Sequence, residues 1–115
     1  MNTTIYGIKN CDTVRKARKW LEANNIPFTF HDFRDDGVTQ QHIENWLVHT
    51  DWQTLFNKRS TSFRALTDEQ KNDIDQQKAI MLMLDHPTLI KRPVLVVNET
   101  VNIGFKPVQY QELFS

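Results

Sequence analysis

The period of hydrophobic positions changes several times along the chain, and each change marks an element. Residues 3–8, TTIYGI, mix β-branched and aromatic side chains and stop at polar Lys9 and Asn10, which predicts a strand. From Cys11 the period becomes helical. Val14, Ala17 and Leu21 fall on one face with Trp20 beside them, while Arg15, Lys16, Arg18 and Lys19 mostly point elsewhere. Residues 24–27, NNIP, end this helix; FTFHDF at 28–33 alternates as a second strand, and RDDGV reads as a turn.

The middle of the chain reads as helical. Thr39 can cap a helix running to about His49, with Ile43, Trp46 and Leu47 on one face, and DWQTLF gives another short helical turn. Residues 67–70, TDEQ, fit the capping-box pattern and open a further helical stretch. A helix carrying Ile80, Met81, Met83 and Leu84 ends before Pro87. PVLVV at 93–97 is a continuous apolar run, as in a strand buried on both faces, and TVNIG at 100–104 follows a short turn as its hairpin partner. Pro107 suits a first helical position, with Val108, Leu113 and Phe114 holding the last helix down. The order β-α-β, helical block, β-β-α implies an α/β fold. Its mixed sheet opens with a right-handed parallel crossover and closes with an antiparallel hairpin.

Composition narrows the function classes. The chain has 115 residues, 39% hydrophobic and 24% charged, which fits one globular domain and not a disordered segment. Fourteen basic and fourteen acidic residues cancel, so neither a nucleic acid nor an anionic membrane is favoured as the main partner. No apolar run reaches membrane-spanning length, MNTTIYGIKN lacks a signal-peptide pattern, and one cysteine allows no internal disulfide. The expectation is a cytoplasmic, monomeric protein. His31, His42, His49 and His86 show no metal-ligand spacing with Cys11 or with acids, so no metal is expected. Trp46 and Trp52 read as packing residues, and three glycines make no phosphate-binding loop. No bound cofactor is expected.

The solitary Cys11 carries the chemistry. It stands where a helix begins, so backbone N–H groups and the helix dipole favour an anion there. Lys9, Arg15, Lys16, Arg18 and Lys19 lie within a few residues, against the single acid Asp12. Surroundings of this kind bring thiol pKa values into a range of about 3.5 to 7.5. A free cysteine can also be a small core filler, but Asn10, Asp12 and Thr13 are poor neighbours for one. In CDTV, Val14 occupies the place of the second thiol of a Cys-x-x-Cys motif. A redox reaction at Cys11 therefore needs an external thiol, such as glutathione, to release the sulfur. Two basic stretches, NKRSTSFR at 57–64 and LIKRPV at 89–94, offer cations for an anionic substrate, and the Ser60, Thr61 and Ser62 hydroxyls offer further donors. Arg92, before Pro93 and a buried strand, and Lys106, between the hairpin and the last helix, have the best-defined places.

Four stretches, YGIKNCDTVRKARKWLE, NKRSTSFRAL, LIKRPVLV and GFKPVQY, together resemble the arsenate reductase-like ArsC/Spx family, especially its YffB-like branch. The similarity covers nearly the whole chain with the motifs in order. It implies a thioredoxin-like fold, its core at about 1–35 and 88–115 and a helical insertion at about 36–87, with Pro93 as the cis-proline. In the family's arsenate reductases a cysteine attacks arsenate, and glutathione and glutaredoxin complete the cycle. Cys11 matches that nucleophile. Of three anion-binding arginines, Arg92 matches one. The first aligns near Asn57, with Arg59 as a substitute two positions along, and the third falls at Lys106. Two departures weigh against arsenate and leave the thiol chemistry untouched.

The YffB-like branch has been proposed to contain glutathione-dependent thiol reductases, which suits a single-thiol chain. The resemblance thus implies a reductase acting on a small oxyanion or a mixed disulfide, with Asn10 and Thr13 shaping the anion pocket. Arg59, Arg92 and Lys106 would orient substrate or glutathione, with Arg15 as a lesser contributor. Spx relatives are instead regulators that bind RNA polymerase, so a non-catalytic binding module is the alternative.

Overall fold

The structure, a computed structural model, describes residues 2–115. Its elements run β1 (Thr3–Gly7), α1 (Asp12–Ala23), β2 (Thr29–Asp32), α2 (Gln40–Leu47), α3 (Trp52–Leu55), α4 (Thr61–Arg64), α5 (Asp68–Lys71) and α6 (Gln76–Asp85). A 3-10 turn (Pro87–Leu89), β3 (Val94–Val97), β4 (Thr100–Ile103) and α7 (Pro107–Phe114) follow. They form two compact units: Met1–Gly37 with Arg92–Ser115, and Val38–Lys91. The fold is α/β, with a mixed sheet of the thioredoxin-like kind.

The first unit holds the sheet, in the order β2-β1-β3-β4. β1 runs parallel to β2, with Ile5 opposite Phe30, and antiparallel to β3, with Tyr6 opposite Val94. β3 and β4 close as a hairpin with Val97 opposite Thr100. The intervening Asn98 has φ +55°, a left-handed conformation that asparagine tolerates in such a turn. The expected apolar face of α1 is real: Val14, Ala17 and Leu21 are buried. Gly7 lets that helix approach, since a Cβ there would stand 2.6 Å from Val14 Cγ2. Ile5, Ala17, Leu21, Leu95, Val97 and Tyr110 form the core cluster of the unit.

Tyr110 corrects one expectation. Val108, expected to hold α7 down, is 67% exposed. It precedes Tyr110 by two residues, about 200° around a helix, so it faces away when Tyr110 faces in. The tyrosine ring meets Trp20 and Phe105 edge-on, its hydroxyl donates to Gly104 O at 3.4 Å, and burial pushes its phenol well above the ordinary range.

The second unit is helical and built from short pieces. The helical stretch opened by Thr67 is a single turn, because Asn72 is extended and Asp73 takes φ +51°; α6 restarts at Asp75. The basic stretch at 57–64 contains α4, a single helical turn too short to show a hydrophobic period. Phe56 bridges Ile90, Asn57 N–H donates to Leu89 O at 2.7 Å, and Lys91 N–H donates to Leu55 O at 2.8 Å. These bonds draw distant parts of the unit together over the buried Leu55, Leu89 and Ile90. Among the described residues, no helix is long and apolar enough to cross a membrane.

Candidate functional site

Beyond Gly7, β1 gives way to a turn at Ile8–Cys11, closed by the Cys11 N–H on Ile8 O at 3.3 Å. Cys11 then occupies the N-cap position of α1 with an extended backbone, φ −103° and ψ 123°. Its carbonyl accepts the first helical bond, from Arg15 N–H at 3.0 Å, while its side chain makes no capping bond. The sulfur is therefore a free, half-buried thiol at the positive end of a twelve-residue helix.

The sheet register brings other named residues to the same end. Tyr6 pairs with Val94, so Pro93 lies one step further, level with Gly7. Val94 pairs with Ile103, and Gly104 N–H donates to Pro93 O at 2.9 Å. The C-terminal end of β1 and the entrance to β3 thus collect Asn10, Cys11, Thr13, Arg92 and Pro93. The exit of β4 adds Lys106, the N-cap residue of α7. The Arg92–Pro93 peptide bond is cis. Asn10, Thr13 and Lys106 are exposed and Arg92 is half-buried.

The local cations are not all available to a ligand. Arg15 is ion-paired with Asp12 on the exposed side of α1. Lys9 Nζ bonds Asp35 at 2.8 Å, which pushes the lysine pKa up. Arg18 lies 4.2 Å over the Phe30 ring. Lys16 and Lys19 remain as exposed charges. Arg59 belongs to the helical unit, where it is exposed and borders a cleft with Asn57, Lys58 and Lys91. The serines expected to donate to a ligand have other work. Ser60 Oγ donates to Asn57 O and accepts from Phe63 N–H, and Ser62 pairs with Thr88. Ser60 closes the start of the short α4 turn, and Ser62 ties that turn to the 3-10 turn at 87–89.

Sequence patterning missed Asp32. It ends β2 with 4% exposure and accepts three backbone N–H bonds: Arg34 at 2.7 Å, Asp35 at 3.2 Å and Lys9 at 3.1 Å. Burial pushes its carboxyl up, but those bonds and the Lys9 charge outweigh burial and hold it below the usual carboxylate range. A signal existed. In the alternation Phe28, Phe30, Asp32, an acid continues an apolar face.

Comparison with known proteins agrees with this architecture. The ArsC family model matches residues 6–113. A solved structure described as YFFB protein is 42% identical and superposes with a TM-score of 0.96, covering 99% of this chain and 100% of its own. An arsenate reductase (ArsC) related protein from Brucella melitensis is 43% identical with a TM-score of 0.79, covering 100% of this chain and 96% of its own. The global transcriptional regulator Spx 1 of Bacillus cereus is 28% identical over 104 residues, 89% of this chain and 79% of the regulator.

Proposed function

The chain belongs to the ArsC family, and on that premise we propose that it is a glutathione-dependent thiol reductase with Cys11 as its nucleophile. The observation that carries the reading is the placement of a free thiol as the N-cap of α1, with no side-chain cap competing for the helix start. The first-turn N–H groups of α1 offer donors to an anionic group of a substrate brought to that thiol.

In this mechanism Cys11 Sγ attacks the glutathione sulfur of a mixed disulfide. A Cys11–glutathione disulfide forms and the substrate leaves as its thiolate. A second glutathione, or a glutaredoxin, then attacks the adduct, yielding a new disulfide and the Cys11 thiolate. Arg92 and Lys106 provide fixed cations for the glutathione carboxylates, and Asn10 and Thr13 line the approach to the helix start. Arg15, held by Asp12, contributes less. Val14 stands where a second thiol would resolve the adduct internally; it is fully buried against Gly7, which supports an external resolving thiol. The protein acts as a monomer in the cytoplasm.

The test is turnover of a glutathione mixed disulfide, with arsenate assayed in parallel. Wild type should reduce the disulfide in preference to arsenate, and a Cys11–glutathione adduct should be seen by mass spectrometry. Cys11→Ser should lose both activity and adduct; a Ser variant with full turnover would sink the mechanism. Arg92→Ala should raise KM far more than Lys19→Ala, and equal effects would remove the assigned pocket. If neither substrate turns over, capture of RNA polymerase subunits tests the regulatory alternative suggested by the Spx relatives.

A further inference from the structure

We infer that Asp32 is the positioning residue of the Cys11 thiol, acting through the backbone N–H of Lys9. This rests on the reading of Cys11 as nucleophile. The path is one peptide unit long. The carbonyl of the Ile8–Lys9 peptide accepts from Cys11 N–H at 3.3 Å, and the N–H of the same peptide donates to Asp32 Oδ2 at 3.1 Å. A trans peptide is planar, so fixing its N–H direction fixes its carbonyl direction, and hence the bond that closes the turn onto Cys11. Donation to an anion also polarises that carbonyl and strengthens it as an acceptor.

The other contacts of Asp32 do not account for this bond. Oδ1 already serves the local turn after β2, through Arg34 and Asp35. Pairing of β1 with β2 is continued past the strand ends by Phe33 N–H on Gly7 O at 2.8 Å. Oδ2 instead reaches 23 residues back along the chain, to the turn that carries the sulfur. Burying a carboxylate is costly unless its oxygens are satisfied, and three N–H donors do that here. The result is a rigid turn where the thiol needs a defined direction, supported from β2 and not from α1 itself.

The test is Asp32→Asn, which keeps the shape but supplies only one acceptor oxygen. If that oxygen keeps Arg34 and Asp35, the amide NH2 faces the Lys9 N–H, donor against donor. In the mixed-disulfide assay kcat should fall about tenfold while KM stays within about twofold, the signature of lost alignment and not lost binding. The rate of Cys11 alkylation by iodoacetamide should change severalfold, and the Lys9 amide proton should shift upfield. Asp35→Asn, which breaks only the exposed Lys9 ion pair, should leave kcat and the alkylation rate unchanged. An Asp32→Asn variant with a shifted Lys9 amide but wild-type kcat and alkylation overturns the inference.

If Asp32→Asn does not fold, the wild-type protein still decides. A scalar coupling across the hydrogen bond, between the Lys9 nitrogen and the Asp32 carboxyl carbon, supports the link, and its absence overturns it. Failure of the reductase reading is seen separately, as turnover that survives Cys11→Ser. The alkylation rate and the Lys9 signal report on the thiol itself in either case.

Discussion

The five α-helices of the helical unit and the two of the sheet unit begin differently. α2 to α6 start at Thr39, Asp51, Ser60, Thr67 and Asp75, and every one of these side chains accepts a backbone N–H of its helix. α1 starts at Cys11 and α7 at Lys106, and neither side chain caps. A side-chain cap is worth about 1 kcal/mol, so its omission at α1 leaves stability unused. Three helices of the helical unit are only four residues long, too short to stand without outside support, and a side-chain cap satisfies the start of each. The sheet unit draws its strength from a core between distant parts of the chain and can leave a helix start open for chemistry.

The largest effects should test where each unit gets its strength. Leu95→Ala in the sheet unit and Leu89→Ala in the helical unit each empty a fully buried site, with an expected loss of about 2–5 kcal/mol by chemical denaturation. A loss near zero for Leu89→Ala would mean that caps alone hold the helical unit. Next comes the close approach of α1 to β1. Gly7→Ala drives a methyl into Val14 and should cost about 1–3 kcal/mol. Adding Val14→Ala should recover part of that loss; no recovery would mean that the clash with Val14 is not its cause.

The same contrast explains what could be read from sequence. Elements of the sheet unit were legible because Val14, Ala17 and Leu21 keep helical period and PVLVV is a continuous apolar run. The helical unit was legible where a cap announced a helix, as at Thr39 and Thr67. It failed at α4, whose one turn is too short to show a period and whose cap, Ser60, sits in a run of hydroxyls and charges. His42 completes the α2 box by accepting Thr39 N–H on Nδ1, where the usual pattern has an acid or amide. At the candidate site, Cys11 stood out by chemistry alone; the alternation at 28–32 marks Asp32 as a buried acid, but its bond to Lys9 spans 23 residues, which no local pattern carries. The cis bond at Pro93 entered only through family resemblance, since X–Pro geometry depends on tertiary context.

Cap deletions should have intermediate effects. Ser60→Ala and Thr67→Ala should each cost about 1 kcal/mol, read as a lowered denaturation midpoint with an unchanged slope. The Asp51 cap adds a pH signature. Thr54, donating to it, holds its carboxyl below the usual range, so its stabilisation is complete above the unfolded carboxylate value, about pH 4. As pH falls through the lower folded value, that stabilisation disappears. The stability gap between wild type and Asp51→Ala should therefore hold constant from neutrality down to about pH 5 and close in stronger acid. A gap independent of pH throughout would mean that the cap bond owes nothing to the charge.

The smallest expected effect is the most informative about the site. Cys11 has the extended backbone of an N-cap but lacks a capping side chain, whereas serine is among the preferred residues at such positions. Cys11→Ser should therefore stabilise the protein by up to about 1 kcal/mol while removing reductase turnover. The pairing matters more than either result. Ser60→Ala changes stability with no reason to touch chemistry, and Cys11→Ser should raise stability as it abolishes chemistry. A serine variant no more stable than wild type would mean that the start of α1 is already satisfied. The first-turn N–H groups would then have nothing left to offer an anionic substrate, and holding it would fall to the cations of this end of the sheet, Arg92 and Lys106 first.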